Sequence, residues 1–143
     1  MNRDEARAIE WDCAALLTRF FNDFDLWRYG AMADAFAPDG VWHRMGKASQ
    51  GRAAILETLN ARSTTQSVRH VVTNVQIDVK GERSADFLLY ITAYQHDTGS
   101  KPVAPPKIRG PSLVLTVPGK LTKVGADWKI AEMSMNRAFE FEK

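Results

Sequence analysis

The stretch SVRHVVTNVQIDV, residues 67–79, marks the point at which the hydrophobic pattern changes from helical to extended. From here side chains of β-branched and polar type alternate with a period of two, which predicts a long strand with two distinct faces. The predicted faces consist of Val71, Thr73, Val75, Ile77 and Val79, and of His70, Val72, Asn74, Gln76 and Asp78. The next residues, KGER, predict a turn, and SADFLLYITAYQ at 84–95 predicts the returning strand of a hairpin.

The residues before this hairpin have helical periodicity. Apolar side chains recur at steps of three and four from Ile9 to Phe24, which predicts an amphipathic helix from about Arg3 to Phe24. A second, short helix is expected over residues 27–36, ended by a turn at APDG, and a short strand over 41–44. The stretch GRAAILETLNAR at 51–62 predicts a third helix.

The residues after the hairpin predict more strands. Residues 96–111 hold four of the six prolines, so this stretch is expected to be a long connection rather than a central strand. Strands are predicted again at SLVLTV and at WKIAEMSMNRAFEF, with a turn at VGADW between them. Helices followed by a run of strands predict an α+β fold, with N-terminal helices packed on an antiparallel sheet.

Composition narrows the classes of function. The 143 residues are expected to form a single domain, 1–143, and 45% hydrophobic residues suffice for a core. The net charge of +2 comes from scattered basic residues, so no nucleic-acid partner is expected. No segment has the apolar length of a membrane span, and the charged start resembles no signal peptide. One cysteine, Cys13, permits no intrachain disulfide, which favours a cytoplasmic location and a role for Cys13 in core packing.

The sequence contains no pattern typical of a metal or cofactor site. The three histidines are far apart in the sequence, without the short ligand spacing of zinc sites. No phosphate-cradling glycine loop and no dinucleotide fingerprint is found. We therefore expect no metal and no cofactor.

Four motifs carry a resemblance to a known family. They are FAPDGVW at 36–42, GRAAI at 51–55, RHVVTNVQI at 69–77 and GADWKIAE at 125–132. In this order they resemble the SnoaL-like branch of the nuclear-transport-factor-2-like superfamily. The resemblance implies a cone-shaped α+β fold, in which a curved antiparallel sheet and the helices enclose a deep pocket. It also implies a homodimer, in which a second copy of the chain is the partner, since homodimers through the sheet are common in this superfamily.

The resemblance also implies a catalytic pair. Asp23 and Asp25 both flank the apolar stripe of the first helix, and a helical wheel does not choose between them. Asp23 has Arg19 four residues earlier, a spacing that allows a surface ion pair. Members of the family place a pocket aspartate about fourteen residues before the acid of the FAPD motif, here Asp39, which points to Asp25. In the dehydratase and dehydrochlorinase members this aspartate pairs with a strand histidine, which matches His70.

An aspartate–histidine pair can perform general-base chemistry. A neutral imidazole accepts protons near pH 7, and a carboxylate beside it sets the tautomer and stabilises the imidazolium. Aromatic residues around the pair would exclude water. The expected substrate-binding residues are Phe24, Trp27, Trp42, Phe87 and Tyr90, and Asn74, which is predicted to share the strand face of His70.

Three functions are compatible with these features. The first is a cofactor-independent lyase that acts on a small, hydrophobic, cyclic or aromatic compound by a dehydratase-like elimination. The second is a non-catalytic ligand-binding or dimerisation module of the same fold, because the later stretches LLYITAY and TVPGKLTK lack the additional acid of several catalytic relatives. The third is an accessory subunit like the small subunits of ring-hydroxylating dioxygenases. The first is our prediction.

Overall fold

The computed structural model describes residues 1–142, in which three helices and six strands follow one another. The elements are α1 (Arg3–Asp25), α2 (Tyr29–Asp34), β1 (Phe36–Arg44), β2 (Lys47–Gln50), α3 (Gly51–Asn60), β3 (Ser67–Gly81), β4 (Ser84–His96), β5 (Leu113–Val124) and β6 (Asp127–Glu140). The α+β class is therefore confirmed, with the helices in the first half of the chain and the long strands in the second.

Helix α1 begins at a reciprocal cap and buries one face. The Asn2 side chain accepts a hydrogen bond from the backbone N–H of Glu5 at 2.8 Å, and the Glu5 carboxylate accepts one from the backbone N–H of Asn2 at 3.3 Å. This capping box satisfies two backbone donors at the helix start. The predicted apolar stripe is the buried face, which consists of Cys13, Leu17, Phe20, Phe21 and Phe24. Within residues 1–142, no helix has the length and apolar composition needed to cross a membrane.

The six strands form one open sheet in the order β2-β1-β6-β5-β4-β3. Four of the pairings are antiparallel, as predicted, but β1 pairs with β6 in parallel. Two details of the prediction were wrong here. The APDG residues, expected as a turn, lie inside β1, and the short strand β2 was not predicted. The β1–β6 pairing shifts register between Phe36 and Val41, so the turn-like residues are accommodated as an irregularity of the strand.

A β-bulge in β3 overturns part of the predicted alternation. Thr73 lies opposite Tyr90 and Gln76 lies opposite Leu88, so two residues of β3 face a single residue of β4. Asn74, in the bulge, has a positive φ of 55°. Because the extra residue reverses the two faces, His70 and Ile77 lie on the same, inner side although the period-two pattern placed them on opposite sides.

Strand β5 continues through Pro118 and Gly119, beyond the predicted end at residue 117. Pro118 lies opposite Leu88 of β4, whereas the pairing with β6 passes from Thr116 directly to Gly119. A side chain at Gly119 would lie 2.3 Å from the Phe87 ring. Glycine is therefore required where the phenyl ring of Phe87 crosses β5, and this contact accounts for the glycine of the Pro-Gly pair inside the strand.

Cys13 packs in the core that fills the space between the helices and the inner face of the sheet. Its side chain is fully buried, as predicted. Burial, together with the negative charge of the neighbouring Asp12, raises the pKa of the Cys13 thiol to about 12. The thiolate, which is the reactive form, is therefore scarce at ordinary pH.

We expect Cys13 to be unreactive in the folded protein. At pH 8 a disulfide reagent such as 5,5′-dithiobis(2-nitrobenzoate) should label less than about a tenth of the chains within minutes, and all of them in denaturing urea, because only unfolding exposes and ionises the thiol. Rapid, complete labelling of the native protein would contradict the burial of Cys13.

Candidate active site

The end of α1 places Asp25 beside the sheet. Helix α1 closes with two hydrogen bonds of a Schellman motif, from the Trp27 N–H to the Phe24 carbonyl at 3.2 Å and from the Arg28 N–H to the Asp23 carbonyl at 2.8 Å. Trp27 occupies the position at which such a motif usually has glycine, with a φ of 63°. The backbone reverses there, which leaves Asp25 as the last helical residue and directs the chain toward α2.

Asp25 and His70 form two hydrogen bonds with each other. The Nδ1 atom of His70 lies 2.6 Å from Oδ1 of Asp25, and the backbone N–H of His70 donates to Oδ2 at 3.0 Å. The side chains are 6% exposed for His70 and 9% for Asp25. The predicted contact is therefore present, and the short distance is typical of a hydrogen bond to a charged group. An aspartate on this side makes Nδ1 the protonated nitrogen and leaves Nε2 as the acceptor.

Two aromatic rings pack against the imidazole of His70. The Phe24 ring stacks on it with a centroid distance of 4.6 Å and an angle of 23° between the planes. The Phe21 ring lies 5.7 Å away and is tilted. Packing and the paired hydrogen bonds thus restrict both the position and the rotation of the imidazole.

His70 lines a cavity of about 470 Å³ between α3, the ends of β1 and β6, and the inner face of the sheet. This volume is in the range of small-molecule sites. The other lining residues are Arg44, Met45, Thr58, Ala61, Arg62, Ser63, Gln66, Ala93, Gln95, Leu113, Leu115, Met135 and Arg137. The lining is amphipathic, with apolar side chains from the strands and three arginines, and Asp25 lies behind His70 rather than in the lining.

Three of the aromatic residues that were predicted to line the cavity are buried in the core instead. Phe24 and Trp42 are fully buried in the core, where Phe24 supports His70 and Trp42 packs edge-to-face against Phe24 at 5.7 Å. Phe87 is also buried, against Gly119. These three aromatics belong to the buried core and are not among the residues that line the cavity.

The other three predicted substrate-binding residues lie elsewhere. Tyr90 alternates with the buried residues Leu89 and Ile91, so it projects from the outer face of the sheet and is 42% exposed. Asn74 is exposed in the bulge, because the bulge interrupts the strand face that Asn74 was predicted to share with His70. Trp27 lines a separate depression with Pro105 and other residues of the 96–111 connection.

Asp23 does not pair with Arg19, the partner that the sequence spacing allows. Its carboxylate lies 3.6 Å from Nη1 of Arg28, a residue that follows the helix end, and its own side chain is only 12% exposed. The chain reversal after Leu26 brings Arg28 back onto α1, a proximity that a helical wheel does not include. Asp23 and Asp25 thus have separate partners.

Arg44 and Arg62 were missed as site residues, although the sequence contains a signal for each. Arg44 is two residues after Trp42 and therefore shares its inner face of β1. Arg62 follows Leu59 by three residues, on the buried side of α3 and the turn after it. As for metals, no group of three or more His, Cys, Asp or Glu in residues 1–142 is placed to hold an ion.

The sequence profile of the family described as SnoaL-like domain matches residues 5–134, nearly the whole chain. The chain belongs to the SnoaL-like family. A comparison of this SnoaL-like protein with curated proteins finds no match.

Solved structures with the same fold include three that are informative. A Novosphingobium aromaticivorans protein provisionally named scytalone dehydratase has a TM-score of 0.83 at 18% identity, over 99% of this chain and 93% of that one. A type 2 hexachlorocyclohexane dehydrochlorinase has a TM-score of 0.81 at 12% identity, over 98% and 92%. A Mycobacterium tuberculosis protein of unknown function has a TM-score of 0.79 at 20% identity, over 96% and 76%. At these identities the likeness establishes the fold of the SnoaL-like protein alone.

Proposed function

We propose that the protein is a cofactor-independent lyase in which His70 is the general base and Asp25 its orienting partner. The observation that carries this proposal is the 2.6 Å contact between the two side chains, with His70 at the wall of a cavity. Two of the structural neighbours are named as a dehydratase and a dehydrochlorinase, and both names denote elimination reactions. This similarity supports a lyase-type role.

The proposed reaction moves one proton and two electron pairs. Nε2 of His70 takes a proton from a carbon of the substrate, and the electrons of that C–H bond form the new double bond. The leaving group on the adjacent atom departs with its own bonding pair. The imidazolium, stabilised by Asp25, then gives its proton to a departing hydroxide, forming water, or to solvent after a halide departs.

The proposed substrate is a small cyclic or aromatic compound with a hydrophobic body. Four lining residues, Ala93, Leu113, Leu115 and Met135, come from the inner face of β4, β5 and β6 and offer an apolar surface across the cavity from α3. Burial of a ring against them would remove apolar area from water and hold the reacting carbon near His70.

A second candidate function is a non-catalytic small-molecule-binding module. It is favoured by the lining itself, which among residues 1–142 contains no aspartate or glutamate that could protonate a leaving group. A histidine held by Asp25 would then be a hydrogen-bonding residue for a ligand that leaves unchanged.

A screen distinguishes the two functions. Hydroxylated and halogenated cyclic and aromatic compounds are first tested for binding by thermal shift, and the binders are followed by NMR for formation of a double bond and release of water or halide. Elimination that disappears in His70→Ala supports the lyase. Tight binding without any reaction in the native protein supports the module.

We also propose that a second copy of the chain covers the outer face of the sheet. One row of paired residues crosses four strands of that face, Val71, Thr92, Val114 and Phe139. Tyr90 lies in the adjacent row, between Thr73 and Thr116. Val71 is 45% exposed, Tyr90 42% and Phe139 67%, and such clusters of exposed apolar side chains are typical of partner surfaces.

We expect light scattering at micromolar concentration to give twice the mass of one chain. Tyr90→Lys should shift the protein toward the monomer, because it places a charge in the proposed interface. Val103→Lys is the matched control, since it introduces the same charge at a fully exposed position of the 96–111 connection. A single-chain mass for the native protein would contradict the proposed dimer.

A further inference from the structure

Two arginines line the cavity that His70 also lines. Arg44 comes from the end of β1, and Arg62 follows α3. The guanidinium carbon of Arg62 lies 4.4 Å from the centre of the Phe24 ring, and that of Arg44 lies 5.7 Å from the same ring. The same ring stacks on His70, and His70 and both arginines line the same cavity.

Among the described residues, neither arginine has an acidic partner. In residues 1–142 no carboxylate lies within ion-pair distance of Arg44 or Arg62. Arg62 donates to two neutral acceptors, the Tyr29 hydroxyl at 2.7 Å and the amide oxygen of Gln66 at 2.9 Å. The third lining arginine is different, because Arg137 is paired with Glu140 at 2.6 Å.

The positive charges of Arg44 and Arg62 repel each other in the cavity. Partial burial and the nearby charge of Arg62 lower the pKa of Arg44 from its usual value. Arginine nevertheless stays protonated in proteins, so the cavity holds two like charges in a partly dehydrated space. Such an arrangement is unfavourable in the empty site and becomes favourable when an anion lies between the two groups.

We propose that Arg44 and Arg62 bind the carboxylate of an organic acid whose apolar ring packs on Leu113, Leu115 and Met135. Guanidinium groups match the two oxygens of a carboxylate, and each of the two retains N–H groups that have no acceptor within residues 1–142. The anionic group is held at the α3 side of the cavity and the ring at the sheet side. The lining adds no aspartate or glutamate that would repel the ligand.

This inference deepens the proposed function, because it names the substrate class of the same cavity. A carboxylate fixed between the arginines would set the distance from the reacting carbon to Nε2 of His70. The substrate would then be a cyclic or aromatic acid rather than a neutral hydrocarbon derivative. Binding and chemistry can be tested separately, since a simple acid without a leaving group can bind and cannot react.

The test compares benzoate with benzamide, a neutral molecule of nearly the same shape, by calorimetric titration at low ionic strength. We expect the native protein to bind benzoate at least about tenfold more tightly. Arg44→Gln should lose at least about tenfold in benzoate affinity and little in benzamide affinity. Arg7→Gln is the charge-matched control, because it removes the same charge from an exposed position on α1 and should leave both affinities unchanged.

Each outcome decides the proposal. Equal affinity for benzoate and benzamide, no benzoate binding by the native protein, or unchanged benzoate binding by folded Arg44→Gln would overturn it. The comparison within the native protein decides even if Arg44→Gln does not fold. Weak benzoate binding together with a His70-dependent elimination would reject the anion site and keep the lyase. Selective benzoate binding without any elimination would support the anion site and reject the lyase.

Discussion

His70→Ala and Asp25→Asn are each expected to lower turnover at least about a hundredfold while the protein remains folded. Removal of the imidazole removes the base, a loss typical of general acid–base groups. Asp25→Asn keeps an acceptor for the backbone N–H of His70, but it removes the charge that stabilises the imidazolium. An amide N–H facing Nδ1 would also favour the tautomer with the proton on Nε2, which cannot act as the base.

Asp23→Asn is the matched control for this pair of variants. Asp23 lies two residues from Asp25 on the same helix, but its partner is the exposed Arg28 at 3.6 Å. A pair of this kind contributes little, so turnover should stay within about a factor of three. Circular dichroism and thermal unfolding establish that each variant is folded. Loss of activity in Asp23→Asn with normal activity in Asp25→Asn would show that the wrong aspartate was chosen.

Trp42→Ala is expected to destabilise the protein by about 3–5 kcal/mol, the usual cost of truncating a buried aromatic residue. Trp42 is fully buried and contacts the rings of Phe20 and Phe24, with centroid distances of 5.8 and 5.7 Å. The cavity left by the indole would remove support from Phe24 and, through it, from His70. Unfolding in urea, followed by circular dichroism, measures the change in free energy.

Trp42→Phe separates ring packing from the indole N–H. The Nε1 atom of Trp42 is buried and has no hydrogen-bond partner in residues 1–142. Phenylalanine keeps an aromatic ring and removes a donor that is costly to bury without a partner. We expect Trp42→Phe to cost much less than Trp42→Ala. Equal losses in the two variants would mean that ring packing at this position contributes little.

The helices and most strands could be predicted from local pattern. Helix α1 ends at Asp25 in the structure, one residue after the predicted end, and the β3–β4 hairpin has nearly its predicted bounds. These features depend on periodicity within a segment, which one sequence contains. The pairing of Asp25 with His70 is a contact between residues 45 apart, and it was available only because the motifs resemble those of a known family.

The lining of the cavity could be predicted only in part. Tyr90 and Asn74 were misplaced because a strict alternation cannot include the bulge at Asn74 or tell which face of a strand the helices cover. Aromatic residues were expected at the cavity surface, whereas Phe24 and Phe87 are the large side chains that fill the core. Hydrophobicity indicates burial, but it does not distinguish the core from the wall of a site.

The sequence by itself determined the α+β class, the course of α1 and the long hairpin, because hydrophobic periodicity acts within each segment. The tertiary structure alone decided the parallel pairing of β1 with β6, the partner of Asp23 and the position of Arg44 and Arg62 in the lining of one cavity. Each of these depends on how separate segments are oriented once they pack. The Arg44 and Arg62 charges are 18 residues apart and become a pair only where β1 and the end of α3 close the same cavity.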